Sequence, residues 1–205
     1  GSDYVAYIRG ILGASGEGVA AAPAEAFGSY DLRMFDNVDE MRAAIERRDG
    51  ETGLSRLLAG FAWPWISKKD KTAYDITIGD TQLRWNSTQT DWIASPKSIT
   101  EVGSIHTVQG YDLNFAGVII GPDLRFDPET GRIVVDRDSY FDKKGKENNA
   151  VLGKSYTDDD LLRFVRNIYA VLLTRGMRGT YVYVCDQQLR EYLRGYIPVN
   201  PERNP

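Results

Sequence analysis

The chain has 205 residues, of which 42% are hydrophobic and 26% are charged, so its composition is that of a globular protein and excludes a disordered one. A single cysteine, Cys185, and a single histidine, His106, exclude an internal disulfide framework and a zinc site with four Cys/His ligands. The net charge of −4 argues against binding of nucleic acid through bulk positive charge but leaves local contacts open.

The predicted elements of the first hundred residues are a helix, then short strands interrupted by one further helix. Apolar residues recur at helical spacing over 4–12, and the glycine- and alanine-rich residues 13–28 predict a loop. Asn37 with Glu40 is a capping signature for a helix that ends near Gly50. The predicted strands lie at residues 31–35, 55–63, 74–78 and 82–85.

The second hundred residues predict the core of a parallel sheet. After an apolar run at 101–106 and a glycine-bearing turn, residues 115–120 read FAGVII, the continuous hydrophobicity of a strand buried on both faces. Residues 122–150 are polar and charged, which predicts a surface insertion with a small hairpin around 132–136. The core resumes beyond them.

The last segment predicts a buried helix, a strand and a second helix. Thr157 with Asp160 marks the start of a helix that is apolar nearly all round until Gly176. An alternating strand at 180–185 and a helix from Asp186 follow. Strands that alternate with helices predict an open α/β sheet with crossover helices, in one domain over residues 1–205.

Two motifs carry the chemical signal, IHTVQGYD at 105–112 and YAVLLTRGMRGTYVYV at 169–184. In this order they resemble motifs V and VI of superfamily 1 helicases, the T-x-x-Q-G-x-E/D turn and the Y-V-x-L-T-R-[AG] helix end. Together with SRLLAGFAWPW at 55–65 and RWN at 84–86, they resemble the bacterial Schlafen-like DNA/RNA helicase family over most of residues 4–197.

That resemblance implies a P-loop NTPase fold with two RecA-like domains that hold ATP between them, of which this chain matches the second. The expected fold is therefore a three-layer RecA-like α/β domain that lacks the P-loop itself. ATP and Mg²⁺ would be bound mainly by the first RecA-like domain, and motif IV would lie just upstream of Tyr4. The expected partners are that first domain and single-stranded DNA or RNA.

Arg175 is the candidate catalytic residue. Phosphoryl transfer spreads charge over the γ-phosphate oxygens, and a guanidinium supplied by a facing domain stabilises that charge. The bland alternative is a surface arginine at a helix C-terminus, favoured by the helix dipole. By resemblance, Gln109, Gly110, Asp112 and Thr174 would face the nucleotide, although UvrD-like helicases more often have glutamate where this chain has Asp112. The alternative for this turn is a plain connector between strands.

By the same resemblance, His106 and Thr107 would contact the nucleic-acid backbone. Unpaired bases stack on aromatic side chains, and Trp65, after Pro64, is the best candidate for an exposed platform. Core packing is the more common role of a tryptophan. The four tryptophans are Trp63, Trp65, Trp85 and Trp92, and the nearby lysines that could meet phosphates are Lys68, Lys69 and Lys71.

Three further sequence patterns resemble functional motifs but do not fit them. GDTQ at 79–82 resembles the end of a first RecA-like domain but lies too close to the motif V-like turn, so we interpret it as a hairpin turn. GKS at 153–155 lacks the preceding glycine of a phosphate-binding loop, since position 148 is Asn148. A two-metal nuclease would need Asp123, Asp136 and Asp138 to converge.

The sequence thus predicts the second motor domain of an ATP-dependent helicase or translocase, inactive alone, with no metal site of its own. The alternative is a non-enzymatic RecA-like module that binds single-stranded nucleic acid or a protein partner. No apolar run approaches the ~18 residues that span a bilayer, and Gly1–Ser2 is interpreted as a cloning scar or an arbitrary cut rather than part of a signal peptide. We therefore expect a cytoplasmic protein with no membrane partner.

Overall fold

A computed structural model describes residues 2–13, 27–142 and 156–201. Its helices are α1 (Ser2–Ile11), α2 (Val38–Thr52), α3 (Asp158–Leu173) and α4 (Gln187–Leu193), with short 3-10 turns at Trp92–Ala94, Ser98–Thr100 and Arg137–Ser139. Its strands are β1 (Asp31–Phe35), β2 (Ser55–Ala59), β3 (Ile76–Ile78), β4 (Thr81–Leu83), β5 (Val102–Gly103), β6 (Leu113–Ile120), β7 (Leu124–Asp127), β8 (Arg132–Val135) and β9 (Gly176–Val184). The predicted helices and strands recur, but the strand predicted at 55–63 ends at Ala59 and the strand predicted at 180–185 already begins at Gly176.

Five strands form one parallel sheet in the order β1-β9-β6-β2-β5. The central strand β6 is buried along its whole length except at Asn114, which is half-buried. Continuous burial explains why residues 115–120 carry no polar alternation, and it confirms the prediction of a strand covered on both faces.

Helices cover both faces of this sheet. Helices α1 and α3 lie in one apolar cluster with Ile8, Val118 and Leu172, and α2 lies in a second cluster with Ile45 and Leu57. Gly117 lets α2 approach closely, because a Cβ at Gly117 would lie 2.7 Å from Cγ1 of Ile45. The architecture is thus a three-layer α/β fold with a parallel sheet, consistent with the RecA-like fold expected.

Side-chain caps define the helix starts. The Asn37 side chain accepts hydrogen bonds from the first turn of α2, and Thr157 and Asp160 form a reciprocal capping box at α3. Both predicted starts are confirmed. Helix α3 differs from the prediction in being amphipathic, because Phe164 is 42% exposed and Arg163 is also exposed. Its outer face is therefore not covered by the described residues.

Two antiparallel hairpins extend from the sheet. Strands β3 and β4 are joined by a two-residue turn at Gly79, whose φ of +57° favours glycine, so the GDTQ stretch is the hairpin turn predicted. The β7–β8 hairpin is also confirmed, but the expectation of a surface insertion is wrong for its apolar side. Leu124, Ile133 and Tyr140 are buried, because that side packs onto the main core.

Two predicted features lie outside the described residues: most of the loop at 13–28 and the GKS sequence at 153–155. In the described part of the chain, no helix is both long enough and apolar enough to cross a membrane.

Candidate nucleotide cleft and nucleic-acid pocket

An open cleft of about 850 Å³ lies at the amino edge of the sheet. Strands β6 and β9 are parallel neighbours that start at Leu113 and Gly176. The residues just before them, Asp112 and Arg175, therefore lie side by side, and the amide of Leu113 donates to the Arg175 carbonyl at 3.2 Å. Asp112, Thr174 and Arg175 all line this cleft.

Arg175 lies between α3 and β9, one residue beyond the helix cap Thr174. The side chain makes no hydrogen bond or ion pair within the described part of the chain, and its Nε is buried without a partner. A buried donor without a partner costs about 1–3 kcal/mol, whereas an anion at the guanidinium would offset that cost. The setting therefore fits a phosphate brought in from outside the chain.

Two tyrosines fix the backbone around Arg175. The Tyr4 hydroxyl donates to the Leu173 carbonyl at 2.8 Å, and the Tyr30 hydroxyl donates to the Gly176 carbonyl at 2.9 Å. Burial raises the pKa of both hydroxyls, so each stays a neutral donor. The residues before and after the helix-to-strand link are thus held by partners more than a hundred residues away.

A β-bulge adds a second arginine to the cleft. Leu113 pairs with Gly176 and Phe115 with Gly179, so three steps along β9 oppose two along β6. A side chain at Gly176 would collide with the Gly179 carbonyl, so this geometry requires glycine. The bulge exposes Arg178, which lines the cleft and has no partner among the described residues.

Asp112 and Thr174, the other predicted nucleotide-binding residues that line the cleft, differ in whether their side chains are already hydrogen-bonded. Asp112 is exposed, and its carboxylate has no partner in the described part of the chain. The Thr174 hydroxyl donates to the carbonyls of Ala170 and Val171 at 2.9 and 3.0 Å, so it ends α3 and positions Arg175. Thr174 therefore acts on the cleft through the backbone.

The turn at 104–112 crosses the molecule from the carboxyl edge of β5 to the amino edge of β6. The amide of Tyr111 donates to the Val108 carbonyl at 3.1 Å, and Gly110 has a φ of +86°, as the third residue of a type II turn requires. Gln109 and Gly110 are exposed and are not among the residues that line the cleft. Of the three candidates on this turn, only Asp112 reaches it.

An aromatic pocket of about 650 Å³ lies at the opposite, carboxyl edge, where β2 and β5 end. Its lining brings together the three predicted nucleic-acid residues with further aromatic side chains, namely Trp65, His106 and Thr107 with Phe61, Trp63 and Phe141. These residues define the aromatic pocket. The pocket also includes Lys68 and Asp142, so aromatic faces and a cation meet in one place.

The three predicted residues are held in different ways. The His106 ring is exposed and lies 5.5 Å from the Phe61 ring, and Trp65 is half-buried with the Lys68 ammonium 5.3 Å from its ring centre. Thr107 is buried, and its hydroxyl accepts from the Ser104 amide at 2.6 Å. Its hydroxyl is thus committed to shaping the turn that presents His106.

Comparison with known proteins shows which family the chain belongs to. Residues 1–186 match the family model described as Schlafen group 3, DNA/RNA helicase domain. The chain belongs to this helicase-domain family. It is also similar to a Saccharomyces cerevisiae protein named Uncharacterized protein YPL245W, with 34% identity over 170 residues. That match covers 80% of this chain and 37% of the yeast protein. No solved structure matches the chain.

The four tryptophans differ in how deeply they are buried. Trp85 and Trp92 are buried in the core, and the Trp92 indole donates to Glu101 at 3.0 Å. Trp63 and Trp65 are both half-buried against the α2 side of the sheet, and both line the aromatic pocket. These two tryptophans are therefore the candidates to meet a base, and Trp65 also has the Lys68 ammonium 5.3 Å from its ring centre.

The acidic residues do not form the site that a nuclease would need. Asp123 is buried against the Tyr169 hydroxyl at 2.6 Å, and Asp136 pairs with Arg125 at 2.6 Å. Among residues 2–13, 27–142 and 156–201, no three histidine, cysteine or acidic side chains form a group that could hold a metal ion. The nuclease alternative is therefore wrong for the described residues.

Sequence reasoning missed Arg178 and the aromatic partners Phe61 and Phe141. Arg178 stands between two glycines, as GMRG, and a paired glycine beside a strand start is a signal for a bulge. Phe141 is 47% exposed and follows the β7–β8 hairpin, and its amide donates to the Phe61 carbonyl at 2.8 Å. No local pattern marks that pairing, because the two residues are eighty positions apart.

Proposed function

We propose that this chain is the second RecA-like motor domain of an ATP-dependent nucleic-acid helicase or translocase. The observation that carries the proposal is Arg175, whose guanidinium has no partner in the described part of the chain and lies in an open cleft that Asp112 also lines. The family match supports a helicase-related role. Because the chain spans 37% of its yeast relative, the activity of the whole protein belongs to this proposal.

In this mechanism the facing domain holds ATP and Mg²⁺ through its own phosphate-binding loop. Arg175 reaches the γ-phosphate and stabilises the charge that spreads over its oxygens as the bond to the leaving group breaks. Arg178 adds a second positive charge at the same cleft, and Asp112 accepts a hydrogen bond from the ribose. The fixed backbone on both sides of Arg175 favours this role, since an arginine finger must hold its position across a domain interface.

Nucleic acid would bind at the other edge of the sheet. Bases stack in the aromatic pocket on Trp65, and His106 meets the strand beside them. The turn at 104–112 joins the two sites covalently, because it begins beside His106 and ends at Asp112. A shift of this turn on nucleotide binding would therefore move a nucleic-acid contact, which is what a translocating motor requires.

The rival is a non-enzymatic module that binds single strands or a protein partner. The exposed Gln109 and Gly110, which do not line the cleft, favour it to that extent. ATP hydrolysis separates the two proposals. The chain alone should hydrolyse no ATP, because the lysine and metal-binding groups of the phosphate loop belong to the other domain.

The decisive comparison adds the first RecA-like domain. The joined domains should hydrolyse ATP in the presence of Mg²⁺ and should respond to single-stranded DNA or RNA. Robust Mg²⁺-dependent hydrolysis by the chain alone, if it survives further purification, would contradict the proposal that this chain supplies only one side of the ATP site. Joined domains that bind single strands but never hydrolyse ATP would favour the non-enzymatic module instead.

A further inference from the structure

A third groove, of about 690 Å³, lies next to the aromatic pocket, and Trp85 contributes to the lining of both. Four cationic side chains and an exposed tyrosine line it. We call it the basic groove, defined by Arg42, Lys71, Arg84 and Lys97 with Tyr74. In a chain of net charge −4, this concentration of positive charge stands out from the average surface.

Arg84 is fixed in the groove with a donor to spare. Its Nε donates to the Ala73 carbonyl at 2.9 Å and its Nη2 to the Thr72 carbonyl at 3.0 Å. The guanidinium carbon lies 4.0 Å from the centre of the Tyr74 ring, and Tyr74 is 42% exposed. Nη1 has no hydrogen-bond partner among the described residues. Such a preorganised guanidinium suits a phosphate oxygen.

Lys71 and Lys97 add exposed ammonium groups that have no partner in the described part of the chain. One acidic residue, Glu101, also lines the groove, but it is buried. Its Oε1 accepts hydrogen bonds from the Ser87 amide at 3.2 Å and from the Trp92 indole at 3.0 Å. The carboxylate is thus bonded beneath the surface. Arg42 pairs with Glu46 at 3.3 Å, so the charges that face solvent without a partner in the described part of the chain are those of Lys71 and Lys97.

We propose that the basic groove binds the sugar-phosphate backbone of the same single strand whose bases stack in the aromatic pocket. The proposal rests on the proposed function, because it extends the nucleic-acid track from one site to the next. Single-strand binders combine a positive groove along the backbone with aromatic platforms for bases, and here the two features adjoin at Trp85. An acidic protein segment would need the charge but not the aromatic neighbour.

The test measures binding of fluorescent oligothymidylate and oligouridylate of two lengths, about 4 and about 12 nucleotides, so that only the longer strand reaches both sites. Lys71→Ala/Lys97→Ala should weaken binding of the longer strand roughly tenfold at low salt. Its salt slope should fall by about 1.4, at ~0.7 for each lost phosphate contact on a single strand. Binding of the shorter strand should change little.

Arg132→Ala/Arg163→Ala is the matched control, since it removes two exposed positive charges outside the groove. If the lysine variant binds the longer strand as the control does, while Trp65→Ala weakens both lengths, the basic groove is overturned and the proposed function stands. Strong competition by polyglutamate of equal charge would assign the groove to a protein partner and overturn it too. An unaltered chain that binds neither length would remove the proposed function and the groove together.

Discussion

The amino and carboxyl edges of the sheet present different kinds of side chain to a ligand. At the amino edge, Asp112, Arg175 and Arg178 are charges without partners among the described residues, on a backbone fixed by tyrosine hydroxyls. The carboxyl edge offers aromatic faces, with a single lysine near Trp65. Charged side chains without partners can stabilise the charge that develops in a transition state. Aromatic side chains stack on any base, so they suit a nucleic-acid strand that has to slide through the site. Under the proposed function, the amino edge carries the chemistry and the carboxyl edge carries the transport.

The largest expected effect is at the amino edge. With both motor domains present, Arg175→Ala should lower kcat about 10³-fold or more, because it removes charge stabilisation from the transition state. Nucleotide binding should change much less, since the facing domain supplies most ground-state contacts. Arg175→Lys should not restore kcat, because an ammonium lacks the planar fork of the guanidinium.

Stability measurements separate this role from a structural one. The interaction of an arginine with the dipole of a helix end contributes only ~0.3–1 kcal/mol, so a purely structural role for the half-buried Arg175 predicts a slightly lower Tm and nearly unchanged turnover. kcat, nucleotide affinity and Tm should be measured on the same variant. A near-wild-type kcat would defeat the assignment of the arginine finger, and with it the chemical half of the comparison.

The second effect sharpens the contrast between buried and exposed carboxylates at the two edges. Burial raises the pKa of Asp123, which follows β6 at the carboxyl edge, to about 6, and its Oδ2 has no partner among the described residues. Between about pH 4, where an unfolded aspartate titrates, and about pH 6, the folded state holds a proton that the unfolded chain has lost. The free energy of unfolding therefore falls as the pH rises through this window, by about 3 kcal/mol at most.

Urea unfolding of Asp123→Asn from pH 4 to 7 tests this. The variant cannot ionise, so its stability relative to the parent chain should rise over that window, whatever constant offset the amide introduces. Asp112→Asn, the same substitution at an exposed carboxylate of the amino edge, is the matched control. Parallel curves for the parent chain and Asp123→Asn would contradict the raised pKa of Asp123.

Much of the fold was predictable because its signals are local. Capping side chains at Asn37 and Thr157 mark helix starts, and the unbroken hydrophobicity of 115–120 marks a central strand. The burial of β7–β8 was not predictable, because Leu124, Ile133 and their few apolar neighbours lie in a stretch whose average is polar. Their burial depends on the residues that pack against them in the fold, and the local hydropathy of the sequence does not show those residues.

The candidate site was predictable only in part, for a topological reason. The motif residues were identified by type, but their division between two edges follows from strand order, with His106 after β5 and Asp112 before β6. Arg178 depends on the register between β6 and β9, which a sequence does not display. Residues that act through distant backbone contacts, such as Tyr30, are invisible for the same reason.

The smallest expected effect is at the carboxyl edge. Trp65→Ala should weaken binding of single-stranded DNA or RNA roughly tenfold, at the lower end of the 1–3 kcal/mol measured for stacking of one base on an aromatic ring. The lower end applies because Trp65 is half-buried and the Lys68 ammonium lies 5.3 Å from its ring centre, so part of its surface is already covered. Trp65→Phe should retain most of the binding.

The salt dependence makes this last prediction specific to stacking. Trp65→Ala removes no phosphate contact, so anisotropy titrations at several salt concentrations should give the parent slope with a weaker affinity throughout, since the slope counts neutralised phosphates. Phe164→Ala removes an aromatic residue that is 42% exposed on α3 and outside the aromatic pocket, and it should leave both affinity and slope unchanged. A reduced slope for Trp65→Ala would mean that Lys68 had lost its position as well, and the pocket would then hold phosphate rather than bases. Unchanged affinity would leave the carboxyl edge without a stacking platform, and the separation of chemistry from transport would have to be abandoned.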